Sequence, residues 1–111
     1  MESYANWSDF LTLDIRTGTI IKAQLFEKAI KPAYQLEIDF GILGIKKSSA
    51  QITDQYSSEE LIGMQIIAIV NFPVKQIANF FSECLVLGAM QGNKITLLTT
   101  ERIVPDGLKI G

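Results

Sequence analysis

Two short runs hold the side chains best suited to specific contacts. The first is Lys46-Lys47-Ser48-Ser49, two ammonium groups followed by two hydroxyls. The second is spread along "VNFPVKQIANFFSECLVLGA", residues 70–89, where Asn71, Lys75 and Ser82 stand among Phe72, Phe80 and Phe81. Lysines and hydroxyls at this spacing suit phosphate oxygens, which such groups bind without reading sequence. Aromatic rings suit the face of an unstacked base, at about 1–3 kcal/mol each, or an apolar segment of another polypeptide. Neither run suits covalent chemistry. The chain has no histidine and one cysteine, Cys84. That removes Ser–His and Cys–His nucleophile pairs and the commonest zinc ligand. No phosphate loop of the GxxxxGK type is present. The expectation is a binding protein that is not an enzyme, with no catalytic residue, metal or cofactor.

Each of these residues also has a structural explanation. Lysines protect an edge strand from pairing with another chain. Asn71 ends a strand through local hydrogen bonds as readily as it bonds a base or ribose. Glu83 repels phosphate, so it either accepts from a base edge or pairs with Arg16. The Arg16–Glu83 pair is preferred, because Asp14 and Arg16 share one strand face. Phe80 reads as a plug for the end of a core. Phe81, beside an exposed loop, joins Phe72 and Leu85 as an apolar contact for a polypeptide. Cys84 reads as a small buried apolar residue.

Composition narrows the class. The length, 111 residues, suits one domain with a modest core. Hydrophobic residues reach 48% and charged residues only 20%. In so small a domain that composition points to a second copy of the chain covering part of the surface, with a rich core as the alternative. The first ten residues include Glu2 and Asp9 and lack the apolar centre of a signal peptide. No apolar run reaches membrane-spanning length, and a single cysteine suits a reducing, cytoplasmic setting. The net charge of −2 conceals an uneven distribution: residues 16–47 carry six bases against Glu27, Glu37 and Asp39. That zone can attract phosphate locally.

The elements that must position these groups are short strands. "LDIRTGTIIKAQL" alternates with period two, and Gly18 suits a strand that bends sharply. "YQLEIDF" is a second half-buried strand, and Ile45 to Ser49 a third. Ser57 and Glu60 form a capping box for one short helix, closed by Gly63. "QIIAIV" and "CLVLGAM" are apolar on both faces and read as strands covered on both sides. The segment between them is too broken for regular structure. "QGNK" reads as a two-residue hairpin turn at Gly92-Asn93. The fold class is therefore mainly β: a five-stranded OB-fold barrel with a short helix between strands 3 and 4. Pattern alone leaves an SH3-like barrel as the alternative. The whole chain, 1–111, forms a single domain, with residues 1–12 an N-terminal extension and 92–111 a C-terminal hairpin and extension. Trp7, Phe10, Ile103 and Val104 in those extensions are the expected dimer contacts.

The residues also carry a family resemblance. Asp14-x-Arg16-x-Gly18-x-Ile20, Ser49-Ala50, Tyr56-x-x-Glu59-Glu60-Leu61-x-Gly63, Asn71-Phe72-Pro73-x-Lys75 and Ser82-Glu83-x-Leu85-x-Leu87 stand in the order and spacing of the tRNA-binding domain family. "IKPAYQLEIDFG", "KKSSAQIT" and residues 71–89 look most like its export-related chaperones. The resemblance implies an OB fold, a homodimer built through the extensions, tRNA binding, and the holding of unfolded or export-bound polypeptides, with export machinery as a further partner. It places RNA on Lys46, Lys47, Ser48, Ser49, Asn71, Lys75 and Ser82. Two positions depart from the family pattern. Asn79 stands where glycine is usual, and Phe81 stands where relatives often carry a base, which exchanges phosphate attraction for apolar contact.

Overall fold

The computed structural model describes residues 3–111. A short helix, α1 (Trp7–Thr12), leads into the long strand β1 (Ile15–Leu25), followed by β2 (Tyr34–Asp39) and β3 (Ile45–Ala50). Helix α2 (Ser58–Leu61) precedes β4 (Gln65–Ile69). Then come β5 (Lys75–Ile77), β6 (Phe80–Ser82), β7 (Leu85–Val86), β8 (Gly88–Gln91) and β9 (Lys94–Leu97). The main sheet has five strands in the order β3-β2-β1-β4-β7 and curls into a nearly closed OB barrel.

Strand β1 is long because it serves two partners. Residues 15–19 pair with β4 and residues 19–25 with β2, with a register shift between Ile20 and Lys22. In the half of β1 that pairs with β4, a Cβ on Gly18 would stand 2.7 Å from the Phe40 ring and 2.8 Å from Ile38. Only glycine allows that approach. Inside the curl, Ile20, Leu36, Ile38, Phe40, Leu61 and Ile66 are fully buried. Helix α2 is capped as its sequence indicates: the Ser57 N–H donates to Glu60 Oε1 and the Glu60 N–H to Ser57 Oγ.

The C-terminal tail straps the free edge of β1. Gly107 N–H donates to Thr17 O, Thr17 N–H to Leu108 O and Ile110 N–H to Ile15 O. The buried Gln65 side chain holds the preceding turn. Its Nε2 donates to Val104 O at 2.7 Å and to Asp106 Oδ1 at 3.2 Å, while its Oε1 accepts from Thr100 Oγ1 and Val104 N–H.

Three features differ from the sequence reading. Residues 7–12 form a helix, with Asn6 N–H donating to Asp9 Oδ2 at its start. The segment after Pro73 is not irregular: β5 and β6 make a hairpin that turns at Ala78, whose φ is 53°. "CLVLGAM" is not one covered strand. It breaks at Leu87, so that β7 joins the barrel and β8 pairs with β9 in a separate hairpin, and Leu85 and Met90 are exposed.

Candidate ligand interface at the barrel seam

The barrel closes between β3 and residues 82–84, largely through side chains. Glu83 N–H donates to Lys47 O at 2.7 Å, and Glu83 Oε1 accepts from Lys47 N–H at 2.9 Å. Ser82 Oγ accepts from Ser49 N–H at 3.1 Å, and Ser48 Oγ donates to Cys84 O at 2.9 Å. These bonds take the place of a regular ladder, so the seam stays open beyond them.

Closing the seam this way changes several assignments. Glu83 does not pair with Arg16. Arg16 Nε donates to Asp14 Oδ1 at 2.6 Å and its Nη1 to Gly107 O at 2.9 Å, because the tail reaches it first. Ser48 lies inside the barrel at 1% exposure, so its hydroxyl cannot meet a phosphate. Strand alternation explains this, since Ser48 points inward while Lys47 points out. Asn71 is a tie rather than a free amide: its Oδ1 accepts from Asp14 N–H and its Nδ2 donates to Thr12 O, both at 2.8 Å. Cys84 is buried, and loss of solvation pushes its thiol up to about 11.

Beside the seam lies a groove of about 390 Å³. Ser49, Lys75, Ser82 and Leu85 line it, as do Ile77 and Met90. The β5–β6 register sets Lys75 opposite Ser82 and Gln76 opposite Phe81. Lys75 and Ser82 therefore share the hairpin face toward the groove, while Phe81 takes the other face. Phe81 is 53% exposed and Phe72 is also exposed, yet neither lines the groove. Lys46 and Lys47 also part company, being neighbours on a strand. Lys47 is exposed on the outer face of β3, and Lys46 is half-buried on the opposite face. The structure thus unites one lysine, two hydroxyls and Leu85, and leaves the remaining candidates around them.

The groove's other apolar walls, Ile77, Met90, Ile95 and Leu97, were not among the sequence candidates. For Met90, Ile95 and Leu97 the signal was the pair of strands on either side of Gly92-Asn93, which form the β8–β9 hairpin. In the extensions, Trp7 and Ile103 are 79% and 83% exposed. Phe10 and Val104 are half-buried, Phe10 against the cluster of Ile15, Ile67 and Ile69 in its own chain.

Such a barrel, with a lysine-bearing hairpin beside its seam, defines a class. Residues 15–109 match the family described as "Putative tRNA binding domain", and the chain belongs to that family. Among solved structures it is similar to the chaperone CsaA of Bacillus anthracis str. Ames, at 53% identity and TM-score 0.94, over 98% of this chain and 100% of that one. It is similar also to the CsaA chaperone of Picrophilus torridus, at 54% identity and TM-score 0.91, over 97% and 100%. Among curated proteins it resembles the methionine–tRNA ligase of Pyrococcus abyssi at 29% identity, over 98% of this chain but 15% of that enzyme.

Proposed function

We propose that the chain is a non-catalytic, homodimeric, CsaA-like protein of the cytoplasm that binds tRNA through backbone and shape contacts. It also holds unfolded or export-bound polypeptides, without ATP. The observation that carries the reading is the seam groove, which Lys75, Ser49 and Ser82 line together with Ile77, Leu85 and Met90. A cation beside hydroxyls suits a phosphate, and an apolar wall suits a side chain of an extended polypeptide. The family match supports the RNA partner, and the likeness to CsaA chaperones supports the polypeptide. No helix among the described residues is long and apolar enough to cross a membrane.

The test is a filter-binding titration with tRNA at several salt concentrations. Affinity is expected to fall linearly on logarithmic axes, by roughly 0.7–0.9 per neutralised phosphate. Reversing Lys46, Lys47 and Lys75 to glutamate should flatten that slope and abolish binding; unaltered affinity would reject the site. The polypeptide half has its own readout, suppression of client aggregation at high salt. Leu85→Ser is expected to weaken it through the groove, and Phe81→Ala to weaken it only if the opposite hairpin face also contributes.

A further inference from the structure

The β8–β9 hairpin leaves one edge unpaired, and the bonds around it fix which backbone groups that edge presents. Strand β8 has no sheet neighbour other than β9. The register sets Gly88 opposite Leu97, Ala89 opposite Thr96 and Met90 opposite Ile95. Leu98 N–H donates to Leu87 O at 3.1 Å in the same register. Antiparallel pairs alternate between bonded and non-bonded. Ala89 and Gln91 therefore bond to β9, while Gly88 and Met90 turn their N–H and C=O groups away from it. The far side of the hairpin keeps the same phase: Leu97 N–H, opposite Gly88, points outward and donates to Tyr56 Oη at 3.0 Å. Gln55 Nε2 fastens the neighbouring Thr96 Oγ1 at 3.0 Å. Strand β9 is thus held against residues 55–56, and β8 is left as the free edge.

Among the described residues nothing bonds to the outward groups of Gly88 or Met90. Met90 is 79% exposed, so the edge is open to solvent there. Free edges in soluble proteins are commonly guarded by lysine or proline. The run Gly88-Ala89-Met90-Gln91 has neither, whereas β3, β5 and β9 carry Lys46, Lys47, Lys75 and Lys94. The hairpin face that bears Gly88, Met90, Ile95 and Leu97 also lines the seam groove. An unguarded edge beside an apolar groove offers backbone pairing without regard to sequence, together with room for alternate side chains.

We infer that an extended polypeptide segment binds by adding a strand to β8, exchanging backbone hydrogen bonds with Gly88 and Met90 and laying every second side chain into the seam groove. The outward groups of Gly88 and Met90, two residues apart, repeat at the period of a strand, which a second strand matches residue for residue. A second copy of this chain fits less well. The four residues of β8 fall far short of the roughly 800 Å² that a standard interface takes from each partner. The inference rests on the polypeptide-holding reading and adds how the polypeptide is held: by its backbone, with a period-two preference for apolar side chains.

A short peptide alternating leucine and serine, with a lysine at each end, tests it by fluorescence anisotropy against the full chain. The end charges exclude attraction to Lys75 as the cause of binding. Two further forms are compared with it, one N-methylated at every leucine and one at every serine. Only alternate N–H groups of a strand face its neighbour. One form should therefore bind at least about fivefold more weakly, for lost backbone bonds, and the other within about twofold of the unmodified peptide. Loss at leucine means antiparallel addition, and loss at serine parallel. On the protein side, Met90→Pro removes one outward N–H from an edge, where proline is tolerated. It should bind about fivefold more weakly than Met90→Ala, which keeps that N–H. Should Met90→Pro lower the thermal midpoint, the methylated peptides decide alone. Equal binding of the two methylated forms, or no binding of the unmodified peptide, overturns strand addition. If an unfolded client protein is still held in that case, the polypeptide reading stands without it; if none is held, both fail. A sedimenting mass halved by Met90→Pro assigns the edge to a second copy and overturns the inference.

Discussion

Gly18 is the residue on which the close approach of β1 to the core depends. Its missing Cβ lets the strand lie on Phe40 and Ile38, both at the centre of the core. Gly18→Ala inserts one methyl group into a fully packed site and is expected to cost about 1–3 kcal/mol. A lowered urea midpoint with an unchanged slope would report this, and an unchanged midpoint would mean that the Phe40 ring moves aside freely. Cys84 makes a second prediction at this scale. Burial raises its thiol from 9.0 to about 11, opposed weakly by the Ser48 hydroxyl and Lys46. The folded chain thus holds the proton to higher pH than the unfolded chain does. Its contribution is complete below pH 9 and is lost as pH rises toward 11. Relative to Cys84→Ala, the parent should lose stability across that window, by an amount on the order of 1–2 kcal/mol. Parallel stability curves for the two proteins between pH 9 and 11 would contradict it.

Among the elements, what was legible in the sequence followed from local rules. Strands β1 and β2 rest on period-two alternation, β4 on an apolar run covered on both faces, and the Ser57–Glu60 capping box and the Gly92-Asn93 turn on local cap and turn chemistry, and each stands where those rules point. What was not legible depends on partners distant in sequence. The Ser48 hydroxyl reads as a ligand contact until the residue 36 positions away fixes which face of β3 turns inward. Asn71 reads equally as a strand end or as a ligand contact until the backbone at Thr12 and Asp14 meets it. Helix α1 carried a local signal, Asn6 three residues before Asp9, too short to weigh without its contacts. The C-terminal strap belongs to the same class, since one buried amide, Gln65, holds it by four bonds. Gln65→Leu is expected to cost about 2–4 kcal/mol, for the lost bonds and the backbone groups left unsatisfied. Hydrogen exchange locates the loss: the Gly107 and Ile110 amides, bonded to β1, should lose protection while those of β2 keep theirs. Uniform loss would mean that strap and barrel unfold together.

At the scale of the whole molecule, pairing turns on exposed apolar area. Trp7 and Leu11 lie one helical turn apart on α1, and both are mostly exposed, as is Ile103 on the turn before the strap. The helix is held from beneath by Phe10, so Trp7 is presented outward with its ring edge-on to Phe10, at 6.4 Å between centroids. A standard interface takes roughly 800 Å² from each partner. That is about a tenth of the 7509 Å² this protein presents. Pairing would also bring two lysine-bearing seams onto one body, and linked sites bind a large ligand far more tightly than either does alone. Sedimentation of the parent should therefore give about twice 12.3 kDa. Trp7→Glu combined with Ile103→Glu should give the single mass, and weaken tRNA binding more than the binding of a short oligonucleotide that spans one seam. A parent that sediments as one chain would refute the interface. A dimer that survives both charges would move it to another surface.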